Sequence, residues 1–189
     1  LNRQPDKLDY TSPTQFRFMI NQLPKVQFFT QTANIPAISL SELVIPTPYK
    51  DLPIIGDKVT FENLTISFIV DEFLENYTEI HNWLIGIGFP ENRTQFTTFR
   101  STTSNTSNTG AGGNTDIGKV GATTADRPFY SDATLTILSN KNNPIVEVRF
   151  SDMFPVSLSG LDYTQQVGDV EYLTATVDFR YKLYEIVTL

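Results

Sequence analysis

The chain has 189 residues and a mass of 21.3 kDa, enough for one sizeable core and too short for two comfortable domains. Its 21 Asp plus Glu outnumber 14 Lys plus Arg, and no basic run occurs; a tight grip on nucleic-acid phosphates is thereby excluded, because it takes clustered cations. There is no cysteine, which removes disulfides, thiolate metal sites and a cysteine nucleophile.

Residues 1–14 are polar, carry Pro5 and Pro13, and are expected to form an extended arm. From residue 15 the sequence reads as a single β domain, 15–189. In QFRFMI the residues Phe16, Phe18 and Ile20 face one way and Arg17 and Met19 the other; Leu23-Pro24 then turns the chain into KVQFFTQT, and a strand pair is predicted. A proline-rich arm at 36–57 follows, with Pro36, Pro46, Pro48 and Pro53 among Ile38, Leu40, Leu43, Val44, Ile45, Ile54 and Ile55. Proline at this density forbids a central strand or a helix, while the apolar content is too high to leave in water. Two readings stand: a long loop folded over its own core, or an arm lying on a neighbouring subunit.

Residues 58–70 alternate, but the apolar parity shifts between Phe61 and Leu64, which predicts a β-bulge near Glu62 or Asn63. A helix is predicted over about 71–87, with Asp71 as N-cap, Glu72 and Glu75 in its first turn, and Gly86 or Gly88 at its end. Val70, Phe73, Leu74, Tyr77, Ile80, Leu84 and Ile87 form its expected buried face. The stretch 101–118 is almost entirely Ser, Thr, Asn and Gly and is expected to be an insertion loop, since it has too little apolar surface to offset its ordering entropy. Strands resume with ATLTILS, a turn at NKNNP suited to Asn in the left-handed conformation, and IVEVRFSD. The last strand, 173–184, puts Leu173, Ala175, Val177, Phe179, Tyr181 and Leu183 on one face, with Thr174, Thr176, Asp178, Arg180 and Lys182 on the other.

Chemistry is hard to place on this frame. His81 is the single histidine and has neither a second His nor a Cys to build a zinc set. Asp71, Glu72, Glu75 and Glu79 read as a solvated helix face, lacking the apolar shielding of paired acid/base work. GAGG neither follows a strand nor opens a helix with Lys-Ser or Lys-Thr, and Ser157 and Ser159 lack a nucleophile elbow. Four Asn-x-Ser/Thr triplets read as composition, because no apolar h-region opens the sequence and no long apolar run occurs; neither a signal peptide nor a membrane span is expected. No catalytic residue, cofactor or metal is expected, and the chain reads as a non-enzyme.

Three segments, FENLTISFIVDEFLENYTEIHNWL, MFPVSLSGLDY and LTATVDFRYKLYE, in an element order covering roughly 15–98 and 128–186, resemble the tail tube protein family of contractile-tailed bacteriophages. Relatives of that family form the tubes of contractile bacteriocins and type VI secretion systems. The resemblance implies a mainly β fold, an antiparallel β-barrel or sandwich with one flanking α-helix. It also implies hexameric rings that stack into a tail tube for DNA delivery, in a virion made in the host cytoplasm, with tail sheath and baseplate proteins as partners. The insertion at 101–118 and the long N-terminal arm depart from the family pattern, and a baseplate tube-initiator or hub ring is the alternative they suggest.

Within that reading Pro46, Pro48, Tyr49, Leu52, Pro53, Ile54 and Ile55 are the expected inter-subunit contact, and the strand carrying Thr174, Thr176, Asp178, Arg180 and Lys182 faces either the channel or the outside. An acidic, hydroxyl-rich channel lets DNA pass without holding it. The remaining alternative is a carbohydrate- or receptor-binding β-sandwich using Tyr10, Tyr49, Tyr130 or Tyr163 as stacking platforms.

Overall fold

A computed structural model describes residues 9–21, 23–95, 130–165 and 172–189. The insertion at 101–118 and most of the N-terminal arm lie outside the described residues. Strand β1 (Phe16–Ile20) leads into a short helix α1 (Pro24–Phe29) and strand β2 (Thr30–Ala33). The predicted strand pair is therefore corrected: β1 pairs with a distant strand, and KVQFF is helical, with Pro24 in the first turn where its missing N–H costs nothing.

Strands β3 (Ile38–Ile45) and β4 (Leu52–Phe61) form a separate antiparallel two-stranded ribbon. Strand β5 (Leu64–Ile69) follows after a break at Glu62-Asn63 in place of the expected bulge. The parity shift in the sequence thus marks the point where the chain leaves the ribbon and enters the main sheet. Helix α2 (Glu75–Gly88) comes next, and then β6 (Ser131–Leu138), β7 (Pro144–Leu158), β8 (Thr174–Arg180) and β9 (Leu183–Thr188).

The main assembly is an antiparallel path β1-β6-β7-β8-β5-β2, with β9 added to β7. Strand β7 serves two sheets: its first half pairs with β6 and β9, and its last residues pair with β8. The switch occurs where Ser151 and Asp152 bulge opposite Asp132, with Asp152 at φ 51 and its amide donating to the Asp132 carboxylate at 3.1 Å. A bulge of this kind bends a strand and lets it turn a corner between packed sheets.

The core fills the space between the two sheets. Phe18, Ile20, Ala133, Leu135, Val148 and Phe150 point in from one side, and Leu64, Ile66, Phe68, Ala175, Val177 and Phe179 from the other, all buried. Val26 of α1 and Ile80 and Trp83 of α2 close the open side, with the Trp83 and Phe179 rings 6.1 Å apart. The strict alternation of LTISFI and TATVDFR is the sequence trace of these inward rows.

Two sequence expectations shift by a few residues. Asp71 does not cap α2; it opens a turn in which its carbonyl accepts from the Leu74 amide at 2.9 Å, and Leu74 sits at φ 55 before the helix starts. The helix is tied down instead by the buried Asn76, which donates to the Ile69 carbonyl at 2.8 Å and accepts from the Asp71 amide at 3.2 Å. Its innermost line is Asn76, Ile80, Trp83 and Gly86, flanked by Tyr77, Leu84 and Ile87, whereas Phe73 is exposed. The predicted strand 173–184 is divided at Tyr181-Lys182, so Leu183 belongs to β9 and is exposed. The hairpin at NKNNP forms as expected, with Asn142 at φ 59.

Candidate assembly surfaces

The proline-rich segment is a hairpin, not a loop packed over its own core. Pro46 and Pro48 sit in the tip, where the Thr47 hydroxyl donates to the Lys50 carbonyl and accepts from the Lys50 amide. Pro53 lies inside β4 opposite Val44 and is tolerated because each strand of a two-stranded ribbon keeps one free edge. Lower down, Ser41 faces an expanded stretch of β4, and its hydroxyl accepts from the Lys58 amide at 3.1 Å. Gly56 is required there, since a Cβ would lie 2.4 Å from the Ser41 carbonyl oxygen.

The register puts Leu43, Ile45, Leu52 and Ile54 on one face of the ribbon and Val44, Pro53 and Ile55 on the other. All are exposed, Ile55 at 80% and the tip residue Tyr49 at 99%. A two-stranded ribbon is marginal by itself in water, and one apolar on both faces gains stability only when something covers it.

The contacts that hold the hairpin to the body lie at its root. The Phe61 ring meets Tyr181 and Tyr184 edge-on at 6.2 and 5.7 Å. The Tyr181 hydroxyl donates to the Glu62 carbonyl at 3.0 Å and the Tyr184 hydroxyl to the Pro36 carbonyl at 3.2 Å. Burial, reinforced by the neighbouring Tyr184, pushes the Tyr181 phenol up to about 12.

A second surface is the outer face of the β7-β8-β5-β2 sheet. Across it run Ser157, Asp178 and Thr65 in one row, and Ser159, Thr176, Ser67 and Thr32 in the next. Thr65 and Ser157 donate to the two Asp178 carboxylate oxygens at 2.6 and 2.7 Å, and Thr32 shares a 2.7 Å hydrogen bond with Ser67. The hydroxyl of Thr65, then that of Ser157, holds the Asp178 carboxyl below its ordinary value.

Of the strand residues singled out in the sequence, Thr174, Thr176, Asp178 and Arg180 share this face by alternation along β8. Arg180 ends β8, and its guanidinium donates to the Phe61 carbonyl at 3.4 Å. Lys182 lies past β8, with its amine 4.0 Å from the Asp152 carboxylate. The sequence reading missed Thr32, Thr65, Ser67, Ser157 and Ser159 as members of the face; the alternating hydroxyls of LTISF were the available signal.

The acidic helix residues divide. Glu75 and Glu79 meet Lys25 at 2.6 and 3.6 Å and join α2 to α1, while burial raises the Glu79 carboxyl against the pull of Lys25. His81 is exposed on α2. Among the described residues, no group of three His, Asp or Glu side chains is placed to hold a metal ion, and no helix is long and apolar enough to cross a membrane. The candidate stacking tyrosines are not gathered: Tyr49 stands at the hairpin tip, Tyr163 follows the end of β7, and Tyr130 packs edge-on to Phe154.

Neither a protein-family model nor a curated protein matches the sequence. Solved structures match the fold over nearly the whole chain. A chain of the anti-feeding prophage baseplate, six-fold symmetrised, superposes with a TM-score of 0.55 at 12% identity, covering 98% of this chain and 97% of that one. The chain shares the fold of that baseplate chain. A chain of the anti-feeding prophage tube-terminating cap matches with a TM-score of 0.54 at 12% identity over 100% and 99% of the two chains. A chain of the sheath-tube complex of the extracellular contractile injection system PVC, in its extended state, gives 0.50 at 9% identity over 95% and 93%. The likeness bears out, at the level of fold, the mainly β architecture and the tail-tube resemblance read from the three sequence segments.

Proposed function

We propose that the chain is a structural, non-catalytic subunit of a contractile tail tube. Six copies form a ring, rings stack into a hollow tube, and sheath and baseplate proteins contact it in a phage tail through which DNA passes without tight binding. The observation that carries this reading is the exposed, two-faced apolar hairpin fixed by its root to a body with the fold of contractile-injection components. Pro46, Pro48, Tyr49, Leu52, Pro53, Ile54 and Ile55 would be covered by a neighbouring subunit. Strands β1, β2 and β9 each have one unpaired side among the described strands, and ring closure by strand continuation removes such edges.

The hydroxyl face with Thr174, Thr176 and Asp178 suits the channel wall. It is hydrated, has the Asp178 carboxylate already occupied by two hydroxyls, and carries Arg180 at its margin, where the guanidinium is engaged by the Phe61 carbonyl. DNA moving past such a wall meets weak repulsion and few sites at which to stall.

Negative-stain electron microscopy over a range of protein concentrations tests the reading. Long hollow tubes of stacked rings support a polymerising tube subunit. A second reading, a baseplate initiator or terminal cap ring, is favoured by full-length likeness to chains of a baseplate and of a tube-terminating cap; it predicts six-fold rings that do not polymerise. Protein that stays monomeric at every concentration overturns both.

A further inference from the structure

Strands β5 and β8 lie side by side and antiparallel. The hairpin leaves the body at the end where β5 begins and β8 finishes, beside Phe61, Glu62 and Arg180. The opposite end is where β5 runs out at Ile69 and Leu173 leads into β8, roughly 20 Å away for a strand of this length. A cleft of about 550 Å³ opens there. Ile69, Leu173, Tyr163 and Tyr172 line it together with the acidic Asp71 and Glu72, and Tyr163 and Tyr172 are 70% and 75% exposed.

We propose that this cleft receives the hairpin tip of a second copy of the chain, so that copies add head to tail along the strand direction. The inference rests on the tube reading and specifies where its stacking contact lies. The chemistries match: the tip offers Tyr49 and the apolar end of the ribbon, and the cleft offers apolar residues framed by two tyrosines. The charges match as well, because Lys50 stands beside Tyr49 at the tip while Asp71 and Glu72 border the cleft, and none of the three has an ion pair among the described residues. Within one copy Tyr49 at the tip and Tyr163 and Tyr172 at the cleft are all exposed, so among the described residues the hairpin does not occupy the cleft of its own chain. Two unlike surfaces at opposite ends of one body make a heterologous contact, which leaves each added copy with a fresh tip and a fresh cleft. The Thr47 clasp and the tip prolines hold the tip in shape beforehand and lower the entropy lost on docking.

The absence of cysteine makes a clean test, since any thiols introduced are the only ones present. Protein carrying Tyr49→Cys and protein carrying Tyr163→Cys are mixed, assembled and exposed to a mild oxidant. The expected product is a covalent dimer containing one copy of each, in yield well above that of either variant alone, because a disulfide needs Cα atoms within about 7 Å. A charge exchange gives the second readout. Lys50→Glu or Glu72→Lys alone raises the concentration needed for stacking by up to about fivefold, and the two together restore it. If the unmodified protein assembles but neither cross-link nor charge rescue occurs, the cleft assignment falls and the tube reading stands. If the unmodified protein forms neither rings nor tubes, the tube reading itself falls. A cross-link formed inside a doubly substituted monomer also overturns the proposal.

Discussion

Asp178 shows how much of this molecule's behaviour sits in single side chains. Its carboxylate accepts from Thr65 on one neighbouring strand and from Ser157 on the other, so it ties three strands together on a wet face. Asp178→Asn should cost about 1 kcal/mol near neutral pH, a modest figure because solvent screens the site. The folded carboxyl titrates below its ordinary value of 3.8, so its contribution is complete above that pH and fades as the pH falls through the folded value. Urea denaturation at neutral and at strongly acidic pH should therefore show a difference between wild type and variant only in the first case. Asn76 is a different kind of anchor. It is fully buried, and Asn76→Ala leaves the Ile69 carbonyl and the Asp71 amide without it, at a cost of about 2–3 kcal/mol by the same assay. Asn76 was invisible in the sequence because a polar residue in a helix reads as solvent-facing, whereas its side chain reaches beyond the helix to the Ile69 carbonyl and the Asp71 amide. The alternating rows of β5 and β8 were legible, because burial on one face writes itself into every second residue.

At the scale of elements, legibility follows how local each cause is. Helix α2 and the β6-β7 hairpin depend on neighbouring residues and were readable to within a few positions. The pairing of β1 with β6 is set by contacts across more than half the chain, and nothing in QFRFMI names its partner. The β3-β4 ribbon was obscured by its own prolines, which forbid a central strand but are compatible with a strand that keeps a free edge. Gly56 gives a way to disturb this element alone: Gly56→Ala drives a Cβ into the Ser41 carbonyl. Ring or tube formation should be lost while the thermal unfolding of the body shifts by less than about 0.5 kcal/mol, since no core residue is touched. The root responds to alkali. The Tyr181 phenol ionises at about 12 against an ordinary 10.0, so the stability it confers is complete below pH 10 and is lost as the pH rises toward 12. Ultraviolet titration of tyrosinate should show a late-ionising group in wild type that is missing in Tyr181→Phe, and the hairpin should loosen over the same interval.

For the whole molecule, the separation of ribbon from core predicts a clean division of labour. Removing residues 46–55 deletes the tip and most of the apolar part of β4 but none of the buried core. A folded monomer with wild-type circular dichroism and no rings or tubes is the expected outcome; normal tubes from this deletion would refute the contact assignment. The body that remains has an unusual mechanical property. Because β7 pairs with β6 and β9 along one half and with β8 along the other, the two sheets share a continuous backbone as well as a core. Parting the sheets is therefore resisted at the Asp152 corner by the covalent backbone of β7 as well as by the packed core. Under load the two sheets are expected to yield together, while the separate β3-β4 ribbon can move without parting them.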